Sequence, residues 1–326
     1  SLFSLMKNIV LSDIKATVMT TIKKNHPDEY KRLNDWVVNQ YKPLVDDDEF
    51  FERFRIFLNE ERDANDINLR IIRAAHKYST FSEFEIIKVA NSASPQIEEL
   101  ARGLRNDLDK YIDIAGFKDI LDKKDLYRAT CLIEQLRYQT RWSQTPRIPE
   151  TTVMGHSMLV ACFMVFISRD LSACNKRLVN NFYAGLFHDL PEAVCRDIIS
   201  PVKRATSSLP EIVKQIEDQV CSIDLFPKFS PYVEKSLLHL CAMDGGDGDE
   251  FSDRITIEAK KTILNVDGEI NKYNDDQYDP IDGKLIKLAD EMSAFLEADQ
   301  SIYHGITSRH LQEGMAKIRF KYLESK

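Results

Sequence analysis

Four residues in the second half of the chain have the types and the order expected of a metal site. His156 opens a strongly apolar segment, the adjacent His188 and Asp189 close another, and Asp290 interrupts the apolar face of a third. Ionisable side chains are rarely buried without a partner, because an unpaired buried charge costs much free energy. One cation could satisfy all four side chains, so we predict that they bind a common metal ion.

The predicted ligands are imidazole nitrogens and carboxylate oxygens, a set that accepts several ions. The sequence therefore predicts one divalent metal ion, either Mn, Co, Fe, Mg or Zn. Such an ion could also activate a water molecule as a nucleophile, which indicates hydrolytic chemistry. Each residue alone is a weak signal, since a single His at a helix start is usually a cap or a satisfied core residue. The ordered set carries the prediction.

The segments that carry these residues read as helices. Only 11 Gly and 11 Pro occur in 326 residues, and no long alternating strand pattern is present, so we predict an all-α protein. Successive helical residues point about 100° apart, so His188 and Asp189 can reach one ion only at a helix end. Pro191 supplies that end. The segment from His156 is apolar nearly all round and predicts a central helix.

Two regions of different character follow one another along the chain. We predict a charge-rich helical region of unknown role over 1–125 and the metal-binding domain over 126–326. In the first region, the run Asp46–Asp48 is expected to cap a helix. In the second, LYRATCLIEQLRYQTRW predicts an amphipathic helix that ends near Trp142.

Composition excludes several classes of partner. The net charge is −8, from 44 basic and 52 acidic residues, which disfavours nucleic acid as a partner. The most apolar stretch, 158–167, is about half of a membrane-crossing helix, so we expect no membrane association. The six cysteines form no C-x-x-C pair, and a reducing cytoplasmic location is the simplest interpretation.

The order His156, then His188-Asp189, then Asp290 resembles the metal-binding signature of the HD superfamily of phosphohydrolases. The resemblance covers about residues 126–300. It implies an HD-domain helical bundle with a divalent metal ion where the helices meet. The helical N-terminal region is additional to that bundle.

A finer resemblance points to one branch. The segment HDLPEAVCRDIISPVK, residues 188–203, is similar to the corresponding segment of bacterial 5′-deoxynucleotidases. An Arg-Trp pair precedes the first metal-binding His in that family, and Arg141 and Trp142 precede His156 here. The segment ADEMSAFLEA likewise resembles the helix of their last ligand. The resemblance implies a phosphomonoesterase acting on nucleotides.

The resemblance also implies roles for individual residues. Glu192 would be the general acid and base, and Asp189 would belong to the catalytic centre as well as to the metal site. Arg141 would bind the phosphate through its planar guanidinium group. The leaving alkoxide would then take a proton from Glu192.

Three more residues are implied as substrate contacts. Trp142 would line the pocket or stack on a base, Asp197 would accept a hydrogen bond from a sugar hydroxyl, and Lys203 would contact phosphate. Each also has a structural interpretation: a core Trp, a helix cap and a solvated Lys. A homodimer is expected by family analogy alone.

Departures from the family leave other functions open. The 5′-deoxynucleotidases lack the N-terminal 125 residues, and the region 239–284 looks expanded here. HD phosphodiesterases and a catalytically silent HD signalling or interaction module are the alternatives within the fold. The sequence lacks the complete acidic pair of guanosine tetraphosphate hydrolases, the further motifs of HD-GYP enzymes and the His-Arg motif of triphosphohydrolases. A helical nucleic-acid-binding protein is a third class, which the acidic balance disfavours.

Overall fold

Helices dominate the computed structural model, which describes residues 2–12, 14–59, 66–196, 205–245 and 247–324. The chain divides into two compact units, Ser1–Lys118 and Asp119–Lys326. One small antiparallel hairpin is the only sheet among the described residues. The predicted all-α class is therefore confirmed. The functional boundary at residue 125 stays a prediction, and Asp197 and Lys203 lie outside the described residues.

The first unit consists of helices whose ends follow local signals. Asp47 caps α4, because its side chain accepts a hydrogen bond from the Phe50 amide at 2.9 Å. Phe3 stacks on Phe54 with ring centroids 5.1 Å apart, which places an aromatic core between α1 and α4. The helices of this unit are α1 (Leu2–Val10), α2 (Ala16–Asn25), α3 (Pro27–Tyr41), α4 (Asp48–Leu58), α5 (Ile67–Ala90) and α6 (Ile97–Asp109). A short helix, α7 (Phe117–Leu121), crosses the division between the units in sequence.

The second unit contains the remaining elements. Its helices are α8 (Asp125–Ile133), α9 (Val153–Asp170), α10 (Asn175–Phe187), α11 (Glu192–Cys195), α12 (Leu209–Asp224), α13 (Pro231–Leu240), α14 (Gly283–Tyr303) and α15 (Arg309–Arg319). The strands β1 (Arg254–Ile257) and β2 (Lys260–Ile263) form the hairpin, with Arg254 opposite Ile263. Helices α9, α10 and α14 pack together, and their apolar side chains form the central core.

Small residues let α9 and α10 approach each other closely. A Cβ atom at Gly185 would lie 3.2 Å from Met164 Cγ and 3.4 Å from the Ala161 backbone, tighter than ordinary packing allows. The absent side chain therefore brings the two helix axes together. As a result, the His156 and His188 rings come to a centroid distance of 5.5 Å.

Helix α9 is long and apolar enough to cross a membrane, with a mean hydropathy of 1.3 over Val153–Asp170. The core helix of a globular domain passes the same test. In this unit α9 packs against α10 and α14, and Val160 and Met164 are fully buried. Its apolar composition is explained by that central position.

The prediction of one helix that ends near Trp142 is wrong for the residues after Ile133. Helix α8 ends at Ile133, a 3₁₀ turn covers Glu134–Arg137, and Thr140 forms an isolated antiparallel bridge with Thr152. Trp142 has a positive φ of 58°, which no α-helix contains. The bridge ends the helix because it pairs this segment with the chain just before α9.

A buried ion pair fixes α10 to the start of α14. The Arg177 guanidinium group donates two hydrogen bonds to Asp282, at 2.7 and 2.6 Å, and both side chains are almost fully buried. Asn181 donates to the same carboxylate and accepts from the Asp282 amide. Gly283 is the first residue of α14. Only a glycine fits at this position, because a Cβ atom there would overlap the backbone of Ser252. These contacts set the position of the helix that carries Asp290.

We expect the substitution Arg177→Met to lower the free energy of unfolding by about 3–5 kcal/mol, because it leaves the Asp282 carboxylate buried and unpaired. Chemical denaturation of the full chain measures this loss. The matched control is Arg309→Met, which breaks the exposed ion pair of Arg309 and Glu313 and should cost less than about 1 kcal/mol. Equal losses in the two variants would contradict a structural role for the buried pair.

Candidate metal centre

Three predicted ligands come together where α9, α10 and α14 meet. One ligand atom from each of His156, His188 and Asp290 lies within 4.8 Å of the other two. His156 Nε2 is 3.1 Å from Asp290 Oδ1. The fourth predicted ligand, Asp189, places its Oδ2 atom 3.2 Å from His188 Nε2 and 3.8 Å from His156 Nε2. Three predicted ligands thus form one close group, and Asp189 lies within 3.8 Å of both histidines. That the four bind a metal ion stays a prediction.

The atoms at this meeting point fit a divalent cation. Nε2 of His156, Nε2 of His188 and Oδ2 of Asp189 are buried and have no hydrogen-bond partner among the described residues. Buried polar atoms are nearly always paired in folded proteins. Imidazole nitrogen and carboxylate oxygen are ordinary ligands of Mn, Fe, Co and Zn ions. The donor set and its unsatisfied atoms together favour a metal site.

The end of α10 explains how two adjacent residues reach one point. The last residue of α10 is Phe187, and His188 occupies the position that closes the helix. His188 Nδ1 donates a hydrogen bond to the Gly185 carbonyl at 2.9 Å, which turns Nε2 toward the other ligands. Asp189 lies in the turn before Pro191. Outside regular helix geometry, its carboxylate can face the same point as the His188 ring.

The ligands also perturb one another electrostatically. Burial lowers the pKa of His188, but the Asp189 and Asp290 carboxylates outweigh burial and raise it to about 9. Burial raises the pKa of Asp189, but His188, His156 and Arg141 bring it down to about 2. The pKa of Asp290 is likewise lowered, against burial, by His156, Lys287 and His188. Both carboxylates are therefore ionised at neutral pH.

Arg141 lies beside the two ligand carboxylates. Its Nη1 atom is 3.6 Å from Asp189 Oδ2, and its Nη2 atom is 3.9 Å from Asp290 Oδ1. The backbone amide of Arg141 donates to the Thr151 carbonyl at 2.9 Å. This hydrogen bond belongs to the bridged segment that precedes α9 and directs the guanidinium group toward the site.

Glu297 is a residue of this site that the sequence analysis missed. It follows Asp290 by seven residues, which is about two helical turns, so both project from the same face of α14. The Glu297 side chain is only 3% exposed, and its Oε1 atom lies 3.2 Å from His156 Nδ1. A second acidic residue on the apolar face that carries Asp290 was the available signal.

Glu297 also binds the segment before α9. Its Oε2 atom accepts hydrogen bonds from Trp142 Nε1 at 2.9 Å, from Arg147 Nη1 at 3.3 Å and from Arg141 Nε at 3.4 Å. Burial raises the pKa of Glu297, but His156, Arg141 and Arg147 hold it below its usual range. One ionised carboxylate thus joins a predicted ligand to the Arg-Trp pair.

Glu192 lies beside the predicted ligands, at the start of the short helix α11. It lines a cavity of about 320 Å³ together with His188, Asp189 and Phe251. The Glu192 amide donates to the Asp189 carbonyl at 3.1 Å, so the turn brings its side chain close to the site. This location agrees with the predicted acid and base role, which stays a prediction.

Trp142 faces a different cavity from Glu192. That cavity has a volume of about 560 Å³ and is also lined by Tyr138, Gln139, Ala193 and Arg196. Gly314 of α15 makes room for the indole ring, because a Cβ atom there would lie 3.1 Å from Trp142 Cη2. The structure therefore places Trp142 next to the site through Glu297, with part of its surface on a neighbouring cavity.

Comparison with known families gives the same region of the chain. A family model for the HD domain matches residues 133–319, more than half of the chain. The chain belongs to the HD-domain family. The matched range includes the four predicted metal-binding residues and Glu297. No curated protein matches the chain. HD domains bind divalent metals and are usually metal-dependent hydrolases.

We expect the full chain to bind one Mn²⁺ or Co²⁺ ion. The substitution Asp290→Asn should weaken that binding by more than about 100-fold, because even the loss of a residue that is hydrogen-bonded to a metal ligand typically costs 10- to 100-fold in affinity. Isothermal titration calorimetry measures the affinity. The control Glu291→Gln changes the next residue of α14, which pairs with Lys321 at 2.9 Å, and should leave the affinity nearly unchanged. Unaltered affinity in Asp290→Asn would remove this residue from the ligand set.

Metal binding at pH 7 should release about one proton. His188 is protonated at this pH in the metal-free protein, because its pKa is about 9, and only the neutral ring can bind a metal. The apparent affinity should therefore fall about tenfold for each pH unit between 8 and 6. Calorimetry in two buffers of different protonation enthalpy counts the released protons. An affinity independent of pH over this range would exclude His188 as a ligand.

Proposed function

We propose that this HD domain is a phosphomonoesterase that acts on nucleotides, of the 5′-deoxynucleotidase type. The observation that carries the proposal is the position of Arg141. Its guanidinium group lies 3.6 and 3.9 Å from the carboxylates of two predicted metal ligands, Asp189 and Asp290. A cationic fork beside a metal site is the arrangement that binds a phosphate group by two of its oxygens.

His156, His188, Asp189 and Asp290 would hold the ion, and the bound ion would supply Lewis-acid polarisation of the phosphate and of the attacking water. The other residues then have separate tasks. Arg141 orients the phosphate and offsets the negative charge that develops on its oxygens. Because the Arg141 side chain is only 18% exposed, its charge acts at low local dielectric, where it is most effective.

Glu192 is proposed to hold and transfer the proton. It lines the same cavity as His188 and Asp189, so a water molecule or a leaving oxygen there is within reach of its carboxyl group. The carboxylate accepts a proton from the attacking water, and the acid returns it to the leaving alkoxide. The products are inorganic phosphate and a nucleoside, and the proton count balances because the water supplies the proton that the alkoxide receives.

The proposed nucleoside site is the cavity beside Trp142. The indole Nε1–H is already bound to Glu297, so the ring offers its π face rather than a hydrogen bond. Tyr138 and Gln139 add an aromatic ring and an amide to the same cavity. Aromatic stacking with a few polar groups is the usual means of binding a nucleobase.

The charges around the site favour a monophosphate over a polyphosphate. Among the described residues, two basic ones, His188 and Lys214, and six acidic ones line the 320 Å³ cavity. Those acidic residues are Asp189, Glu192, Glu217, Asp218, Asp249 and Glu250. Additional phosphate groups in this cavity would be repelled by like charge. This supports a phosphomonoesterase over a triphosphohydrolase. A homodimer and a cytoplasmic location remain predictions.

The test is release of inorganic phosphate from deoxynucleoside 5′-monophosphates, ribonucleotides, triphosphates and a phosphodiester, each with Mn²⁺, Co²⁺ or chelator. We expect activity with monophosphates that depends on the metal. The substitution Glu192→Gln should lower kcat by about 10²- to 10⁴-fold, the usual contribution of a general acid or base.

A surface variant, Glu313→Gln on α15, is the control and should retain full activity. Hydrolysis of the phosphodiester alone would favour the phosphodiesterase alternative. A protein that binds metal but hydrolyses none of these substrates would favour a silent signalling or interaction module.

A further inference from the structure

The carboxylate of Glu297 is surrounded by nitrogen donors. Oε2 lies within hydrogen-bond distance of Trp142 Nε1, Arg147 Nη1 and Arg141 Nε, and Oε1 lies 3.2 Å from His156 Nδ1. Three of these nitrogens, on one indole and two guanidinium groups, can only donate. All three contact Oε2, and two of them belong to positively charged guanidinium groups, so this position favours an ionised carboxylate. An ionised carboxylate can only accept at its other oxygen, Oε1.

This arrangement determines which nitrogen of His156 carries a proton. An ionised carboxylate cannot donate, so the contact with Oε1 requires a proton on His156 Nδ1. The lone pair of Nε2 is then free to bind a metal ion. Nε2 is also the atom that lies 3.1 Å from Asp290 and has no hydrogen-bond partner among the described residues. Glu297 thus prepares the imidazole ring as a ligand.

The Glu297 carboxylate also fixes the segment that contains Arg141 and Trp142. This segment is not helical, and Trp142 has a positive φ, which residues other than glycine rarely adopt. The side chains of Arg141 and Trp142 donate hydrogen bonds to Glu297 of α14, and Ser301 Oγ accepts a further hydrogen bond from the Ile148 amide at 3.2 Å. Arg141 Nη1 and Nη2 face Asp189 and Asp290, so Glu297 orients the guanidinium group from its Nε side.

We propose that Glu297 is a positioning residue that couples the metal ligand His156 to the phosphate-binding residue Arg141. Its effect on the metal site stands on the donor geometry alone, and its effect on phosphate rests on the proposed function. A single carboxylate orients both groups, so its loss impairs metal binding and phosphate binding together. Glu297 itself contacts neither the phosphate nor the metal ion.

The experiment uses the full chain and the nearly isosteric variant Glu297→Gln. We expect it to bind Mn²⁺ about 10- to 100-fold more weakly than the wild type, the range for a partner of a metal ligand. At saturating Mn²⁺, its KM for a deoxynucleoside monophosphate should still be raised, because Arg141 loses the charged partner that orients its Nε side. The matched control is Asp299→Asn, a partly exposed residue two positions further along α14, which should change neither quantity.

Two outcomes of this comparison are decisive. Wild-type Mn²⁺ affinity and KM in Glu297→Gln would overturn the proposal, even if the variant melts at a lower temperature, because a purely structural residue affects stability alone. If Glu297→Gln binds Mn²⁺ more weakly while the wild type hydrolyses no phosphate ester, the role of Glu297 at His156 is upheld and the proposed function fails.

A second measurement needs no variant and serves if Glu297→Gln does not fold. Long-range ¹H–¹⁵N NMR of His-labelled wild-type protein with Zn²⁺ reports the protonation of each ring nitrogen. We expect a proton on His156 Nδ1 and a metal-shifted Nε2. An unprotonated Nδ1, or Nδ1 as the metal ligand, would overturn the proposal.

Discussion

The structure depends on bringing two carboxylates, Asp189 and Asp290, into one buried pocket. Like charges repel strongly at low dielectric, so the pocket is stable only if positive charge is placed around it. His188 and Arg141 supply that charge directly, and Lys287 donates a hydrogen bond to Asp290 at 2.9 Å. A divalent ion would add further positive charge between the carboxylates, which gives the protein a physical reason to bind one.

The rest of the second unit serves this pocket by fixing three helices. Gly185 lets α9 and α10 approach closely, and the Arg177–Asp282 pair attaches α10 to the start of α14. Together these two features set the separation of the residues that line the pocket. Rigid elements hold a set of ligands more accurately than loops do. This is why the side chains come from helix ends and helix faces.

Much of this could be predicted from the sequence, because helical periodicity is a local signal. The all-α class and the convergence of His156 with Asp290 followed from apolar helices interrupted by ionisable residues. The end of the helix predicted to reach Trp142 was wrong, because Thr140 forms a bridge with Thr152. Helical periodicity does not reveal such a contact. Glu297 was missed because its partners lie about 140 to 156 residues away in the chain.

The placement of Asp290 and Glu297 on one helix restricts how this stretch of chain can vary in length. The two residues share a face because seven positions make nearly two turns of α14. Adding or removing one residue between them would rotate one carboxylate by about 100° relative to the other. Surface loops tolerate insertions readily, but residues 290–297 must keep a constant spacing for both carboxylates to face His156.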